Sequence, residues 1–186
     1  MSTLNLSIDP LDKEKLIFHF VRNDDEKSIF DVSTYSFCNW LSENFWRILY
    51  EIELDHNGPE FDYYWKVHSF KLKSNQTIVF EKKKIKQRSF KYRSVIQVSI
   101  ISDDDSDFNY HFRIQMVSLK DSFTCLLREF QNILIENEET EDDVLITKIQ
   151  QILNDVSDGD KAKLRIAEAR ARFDPDEYPP ECVFRK

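Results

Sequence analysis

After a polar leader, Leu16-Ile17-Phe18-His19-Phe20-Val21 is a short apolar run, Asn23-Asp24-Asp25-Glu26 is polar, and Ser28-Ile29-Phe30-Asp31-Val32 turns apolar again. That pattern predicts two strands of a hairpin. From Thr34 the period lengthens: Phe37, Leu41, Phe45, Ile48 and Ile52 fall on one helical face, with Ser33 or Thr34 placed to cap it. The helix is expected to reach about Tyr50, before the turn cluster Asp55-His56-Asn57-Gly58-Pro59.

Period two returns at Phe61, Tyr63, Trp65 and Val67, then switches parity to Phe70 and Leu72, which a bulge near His68 and Ser69 would explain. Ile78 and Phe80 mark a short strand. The clearest strands follow, with Phe90, Tyr92, Ile96, Val98 and Ile100 alternating against Lys91, Arg93, Gln97 and Ser99, and Phe108, Tyr110, Phe112, Ile114 and Met116 against Asn109, His111, Arg113 and Gln115. The polar stretch from Ser102 to Asp107 has hairpin length and makes these two strands neighbours. Ser118 and Asp121 have capping-box spacing ahead of Leu119, Phe123, Leu126, Leu127, Phe130 and Leu134 at helical period. A third helix carries Leu145, Ile149, Ile152, Leu153 and Val156, and a fourth, poor in apolar residues, spans Lys161 to Arg172.

The expected fold class is therefore α+β: an antiparallel sheet of about six strands covered by helices, with a C-terminal helical extension. Residues 1–136 form the expected core domain, 137–143 an acidic linker, and 144–186 the helical extension and tail. A chain ending near Glu136 is then expected to stay folded, and the extension either packs on the core or projects from it.

Composition narrows the chemistry. Only Gly58 and Gly159 occur, too few for a phosphate-binding loop or a dinucleotide fingerprint. Cys38, Cys125 and Cys182 are odd in number and far apart, a pattern of reduced thiols. The four histidines, His19, His56, His68 and His111, stand in separate elements without metal-ligand spacing, so no cofactor or metal is expected. No run of 18 apolar residues occurs and the N-terminus lacks an export pattern, so the expected location is cytoplasmic, with no membrane partner.

Charge is unevenly placed. The net charge is −8. Lys82 to Arg93 holds seven cations and no acid, and taking +7 from −8 leaves −15 on the rest. That stretch reads as a solvated loop, and the overall charge disfavours nucleic acid. Acids concentrate at Asp103, Asp104, Asp105 and Asp107, and at Glu136 to Asp143, including Glu138, Glu139, Glu141 and Asp142. These eight residues are the candidate partner-binding groups, suited to a basic protein surface. Glu51, Glu53 and Asp55 would align only on extended chain and receive no role.

One motif points to catalysis. Phe80-Glu81-Lys82-Lys83 resembles a strand ending in Glu-x-Lys, with Pro59-Glu60 upstream, and so is similar to the PD-(D/E)xK nucleases. That resemblance implies Glu60 and Glu81 as Mg²⁺ ligands and Lys83 beside the attacking water. Glu60 replaces the usual Asp, and another long strand follows where the family has a crossover helix. No catalytic residue is assigned, and an enzyme is not expected.

Small size, acidic balance, aromatic-rich α+β core and lack of a catalytic signature resemble, over residues 16–135, bacterial immunity proteins of polymorphic-toxin and contact-dependent inhibition systems. The resemblance implies tight binding to one cognate toxin domain, a basic nuclease being a common type. The alternatives are an acidic, DNA-mimicking phage inhibitor of host defence and the nuclease.

Overall fold

Alternation begins earlier than the leader suggests. Leu4, Leu6 and Ile8 are buried while Thr3 and Asn5 are exposed, making a strand, β1 (Thr3–Ile8). The structure, a computed structural model, describes residues 3–22, 25–53, 68–71, 76–86, 92–102, 110–114, 116–136 and 143–172. β1 pairs antiparallel with β2 (Lys15–Arg22), which pairs antiparallel with β3 (Asp25–Ser33). The expected hairpin is thus β2–β3, and the leader supplies a third strand.

Between β1 and β2 the chain turns on two aspartates. Asp9 Oδ1 accepts from the Leu11 amide at 2.9 Å, and Asp12 Oδ1 from the Glu14 amide at 3.2 Å. Such Asx turns occupy backbone donors that a strand would otherwise pair. The Glu14 carbonyl accepts from the Thr34 amide at 2.9 Å, which ties this turn to the start of α1 (Thr34–Glu53). Ser33 is the cap, its Oγ accepting from the Ser36 amide at 3.4 Å.

The second sheet runs β4 (His68–Lys71), β5 (Gln76–Lys86), β6 (Tyr92–Ser102) and β7 (Tyr110–Ile114), in that spatial order and antiparallel throughout. One six-stranded sheet is therefore corrected to seven described strands in two sheets of three and four. The sheets meet at β1 and β7 without a hydrogen-bonded ladder, and Phe20 stacks on Phe112 across the seam at 3.9 Å. The strand read at Phe61 to Val67 and the parity switch before Ser69 lie largely outside the described residues.

Helices close one side of both sheets. α2 (Met116–Glu136) begins two residues before Ser118, so Ser118 lies within its first turn rather than capping it. Phe123, fully buried on α2, meets Phe37 of α1 at 6.3 Å and Phe80 of β5 at 5.7 Å. Ser122 donates to the Leu4 carbonyl of β1 at 2.6 Å. α3 (Asp143–Ser157) and α4 (Gly159–Arg172) follow. Leu145, Ile149, Ile152 and Leu153 of α3 belong to the same buried cluster as both sheets and α1. The helical extension thus packs on the core, and Asp143 is the first residue of α3 instead of the last of a linker.

Candidate functional site

Four segments converge at one pole of the molecule. The turn carrying Leu11 touches the end of α2 through a Lys13–Glu136 ion pair at 3.5 Å, exposed on both sides and so weak. α1 starts there through Thr34 and Glu14, and the Tyr35 ring lies edge-on to Phe130 of α2 at 6.1 Å. α3 runs back along α2, with Gln131 Nε2 donating to Gln150 Oε1 at 2.7 Å, which brings the start of α3 to the end of α2. The pole therefore gathers Leu11, Val144, Ile135 and Tyr35, exposed by 95, 83, 56 and 45%. Asp9, Asp12, Glu14, Glu136 and Asp143 surround them in sequence, with Lys13 and Lys15 as the cations.

Large apolar side chains displayed together with an acidic rim are the ordinary anatomy of a docking surface: anchors at the centre, charge around them. The expected partner-binding residues Glu138, Glu139, Glu141 and Asp142 lie outside the described residues, on the connection that joins this pole's Glu136 to its Asp143. Asp103, Asp104, Asp105 and Asp107 also lie outside them, between the end of β6 and the start of β7. The four apolar anchors were not legible as a site. Each is a single residue of an unrelated segment, and only tertiary packing unites them.

Only part of the nuclease motif lies within the described residues. Glu60 lies outside the described residues, and Glu81 sits inside β5, which continues to Lys86 instead of ending at Glu-x-Lys. Glu81 Oε2 accepts from Gln97 Nε2 at 3.4 Å, and Gln97 also donates to Ser99 Oγ at 3.2 Å. His111 Nδ1 lies 2.8 Å from that same hydroxyl. This is a polar ladder across β5, β6 and β7, built from cross-strand partners of the sheet register. Among the described residues no group of three or more His, Cys, Asp or Glu could hold a metal ion.

His19 on β2 is held similarly, with Ser7 Oγ 3.3 Å from Nε2 and Ser28 Oγ 3.0 Å from Nδ1. A hydroxyl can donate or accept, so these serines serve either ring tautomer. Cys38 is fully buried, and burial first, with Glu129 second, pushes its thiol well above the ordinary range. It is therefore a packing residue, not a nucleophile.

A concavity of about 280 Å³ lies between α1, α3 and α4. In it the buried Asp155 accepts from Arg165 Nε at 2.7 Å, and Arg165 Nη1 donates to Glu168 at 2.9 Å. Those two hydrogen bonds, Asp155 first, hold the guanidinium above its usual range. The pair locks α4 onto α3.

The basic stretch is not a loop. Lys82–Lys86 are the second half of β5 and Tyr92–Arg93 open β6, with only 87–91 between them outside the described residues. Among the described residues no helix is long and apolar enough to cross a membrane. No family model, curated protein or solved structure matches the chain.

Proposed function

We propose that this chain is a protein-binding inhibitor that neutralises a cognate toxin by direct contact, in the manner of the immunity proteins it resembles, and acts in the cytoplasm. The observation that supports this reading is the pole: Leu11, Tyr35, Ile135 and Val144 exposed together where the acidic connection 137–142 leaves and returns. Burying Leu11 and Val144 in a partner contributes about 1.5–3 kcal/mol each, enough for both to act as anchors. The acids add orientation and association rate against a basic surface, such as a nuclease cleft. The inhibitor reading is preferred to the nuclease because β5 runs on to Lys86 instead of ending at Glu-x-Lys.

The test compares the full chain with Leu11→Ser/Val144→Ser, both sites being solvent-exposed in the free protein so that its melt stays unchanged. A protein held by the first and not the second is purified, and its activity is assayed with and without each. Inhibition by the native chain alone supports the reading. Equal inhibition by both, or binding without inhibition, overturns it.

A further inference from the structure

The concavity between α1, α3 and α4 is walled entirely by described residues, and each helix gives it one stripe of side chains. Its apolar part is Trp46, half-buried and set edge-on to Phe45 at 5.3 Å, with the buried Ile152 and Ala169. Its charged part is balanced: Glu43, Asp155 and Glu168 face Arg47, Lys148 and Arg165, three of each sign. A lining of zero net charge gives no advantage to a polyphosphate or a polycation. It suits a small molecule that carries both signs itself.

The hydrogen bonds show where such a molecule would attach. Arg165 spends Nε on Asp155 and Nη1 on Glu168 Oε2, and its Nη2 meets no acceptor among the described residues. Glu168 Oε1 likewise accepts from nothing there. Arg165 and Glu168 are neighbours on α4 at i and i+3, so a free donor and a free acceptor of opposite charge stand side by side. Asp155 beneath them fixes the guanidinium at 2.7 Å, so the donor is already oriented. Lys148 and Glu43, by contrast, are 3.9 Å apart, too far for a hydrogen bond, and hold nothing in place.

We propose that this concavity binds a free aromatic α-amino acid, its carboxylate accepting from Arg165 Nη2, its ammonium donating to Glu168 Oε1 and its ring packing on Trp46. Carboxylate and ammonium on one carbon match the adjacent donor and acceptor, whereas a peptide terminus offers only one of the two charges. At about 280 Å³ the space lies at the small end of small-molecule sites, which suits a single amino acid. An aromatic ring adds stacking on the indole that an aliphatic side chain lacks. This inference is independent of the pole and of the inhibitor reading.

The experiment is calorimetric titration of the full chain with L-phenylalanine, which is expected to bind saturably with a Kd at or below about 1 mM. L-leucine is expected to bind more weakly. 3-Phenylpropanoate, which lacks the ammonium, and phenethylamine, which lacks the carboxylate, are each expected to bind at least tenfold more weakly, because each leaves one charged group of the site unpaired. E168Q is expected to weaken phenylalanine about tenfold while leaving 3-phenylpropanoate unchanged, a split that a merely structural loss would not produce. R165K, which keeps a cation opposite Asp155 but has no Nη2, is expected to weaken phenylalanine and leave phenethylamine unchanged. K163Q, on an exposed part of α4, is expected to bind as the native chain does. All variants are checked by thermal melt, and if R165K does not melt cooperatively the half-exposed E168Q alone decides. No saturable binding up to about 10 mM, 3-phenylpropanoate or phenethylamine binding as tightly as phenylalanine, or E168Q weakening phenylalanine and 3-phenylpropanoate alike would each overturn the proposal.

Discussion

Phe123 shows how much a single side chain joins. It touches one ring from α1 and one from β5, and it is fully buried. Phe123→Ala is expected to lower stability by about 3–5 kcal/mol in urea titration, the usual range for an aromatic removed from a packed core. At Arg165 the expected loss is smaller. Its side chain is one-third exposed while Asp155 is nearly covered, so Arg165→Ala leaves a shielded carboxylate without its 2.7 Å donor. A cost of about 1–3 kcal/mol is expected, with Asp155→Asn milder because no buried charge is stranded. Asp158 gives a pH signature. The Lys161 amide, then that of Asp160, hydrogen-bonds its carboxylate and holds its pKa below the ordinary value of 3.8. A depressed folded-state pKa stabilises the fold above the unfolded value and loses that contribution as pH falls through the folded one. The Tm gap between the native chain and Asp158→Asn, which still caps α4, should therefore be constant from pH 7 to about 5 and close below about 3.8.

Elements were legible where one period ran undisturbed. α1, α2 and α3 follow their apolar stripes, and β6 with β7 follow their alternation, because in these stretches a single buried face dictates the pattern. β1 was hidden by shortness: Leu4, Leu6 and Ile8 do alternate, but Asn5, Ser7, Asp9 and Pro10 give the stretch the composition of a leader. The far half of β5 was hidden for a different reason. Lys82–Lys86 has no apolar alternation, and its strand geometry comes from pairing with β6, a non-local cause. The split into two sheets could not be read at all, since periodicity reports which face is buried and not which strands share hydrogen bonds. α3 settles what its sequence left open. Its four buried aliphatic residues are worth roughly 6–12 kcal/mol of burial, comparable with the 5–15 kcal/mol net stability of a typical domain. A chain ending at Glu136 is therefore expected to lose its cooperative thermal transition, in place of the independent core that the linker composition suggests. A retained sharp melt in that truncation would show the cluster to be divisible.

At the scale of the whole molecule, charge is partitioned along the chain, with acids concentrated in 102–110 and 136–143 and cations from Lys82 to Arg93. Changing Asp103, Asp104, Asp105 and Asp107 together to Asn is expected to leave Tm equal or higher, by relief of like-charge repulsion. If that connection meets a basic partner, the same variant associates more slowly, with a flatter salt dependence in stopped-flow measurements, whereas an unchanged low-salt rate assigns recognition to the pole alone. The acidic half of the candidate site was visible as composition. Its apolar half was not, because exposure is a property of the folded surface. The clasp between Ser122 and Leu4, 118 positions apart in the chain, also carries a consequence in time. During synthesis the first strand emerges with Leu4, Leu6 and Ile8 while the helix that covers them has yet to be made. At about 5–20 residues per second that interval is roughly 6–24 s, long enough for a nascent β1–β2–β3 meander to need a chaperone's shelter before its own helix arrives.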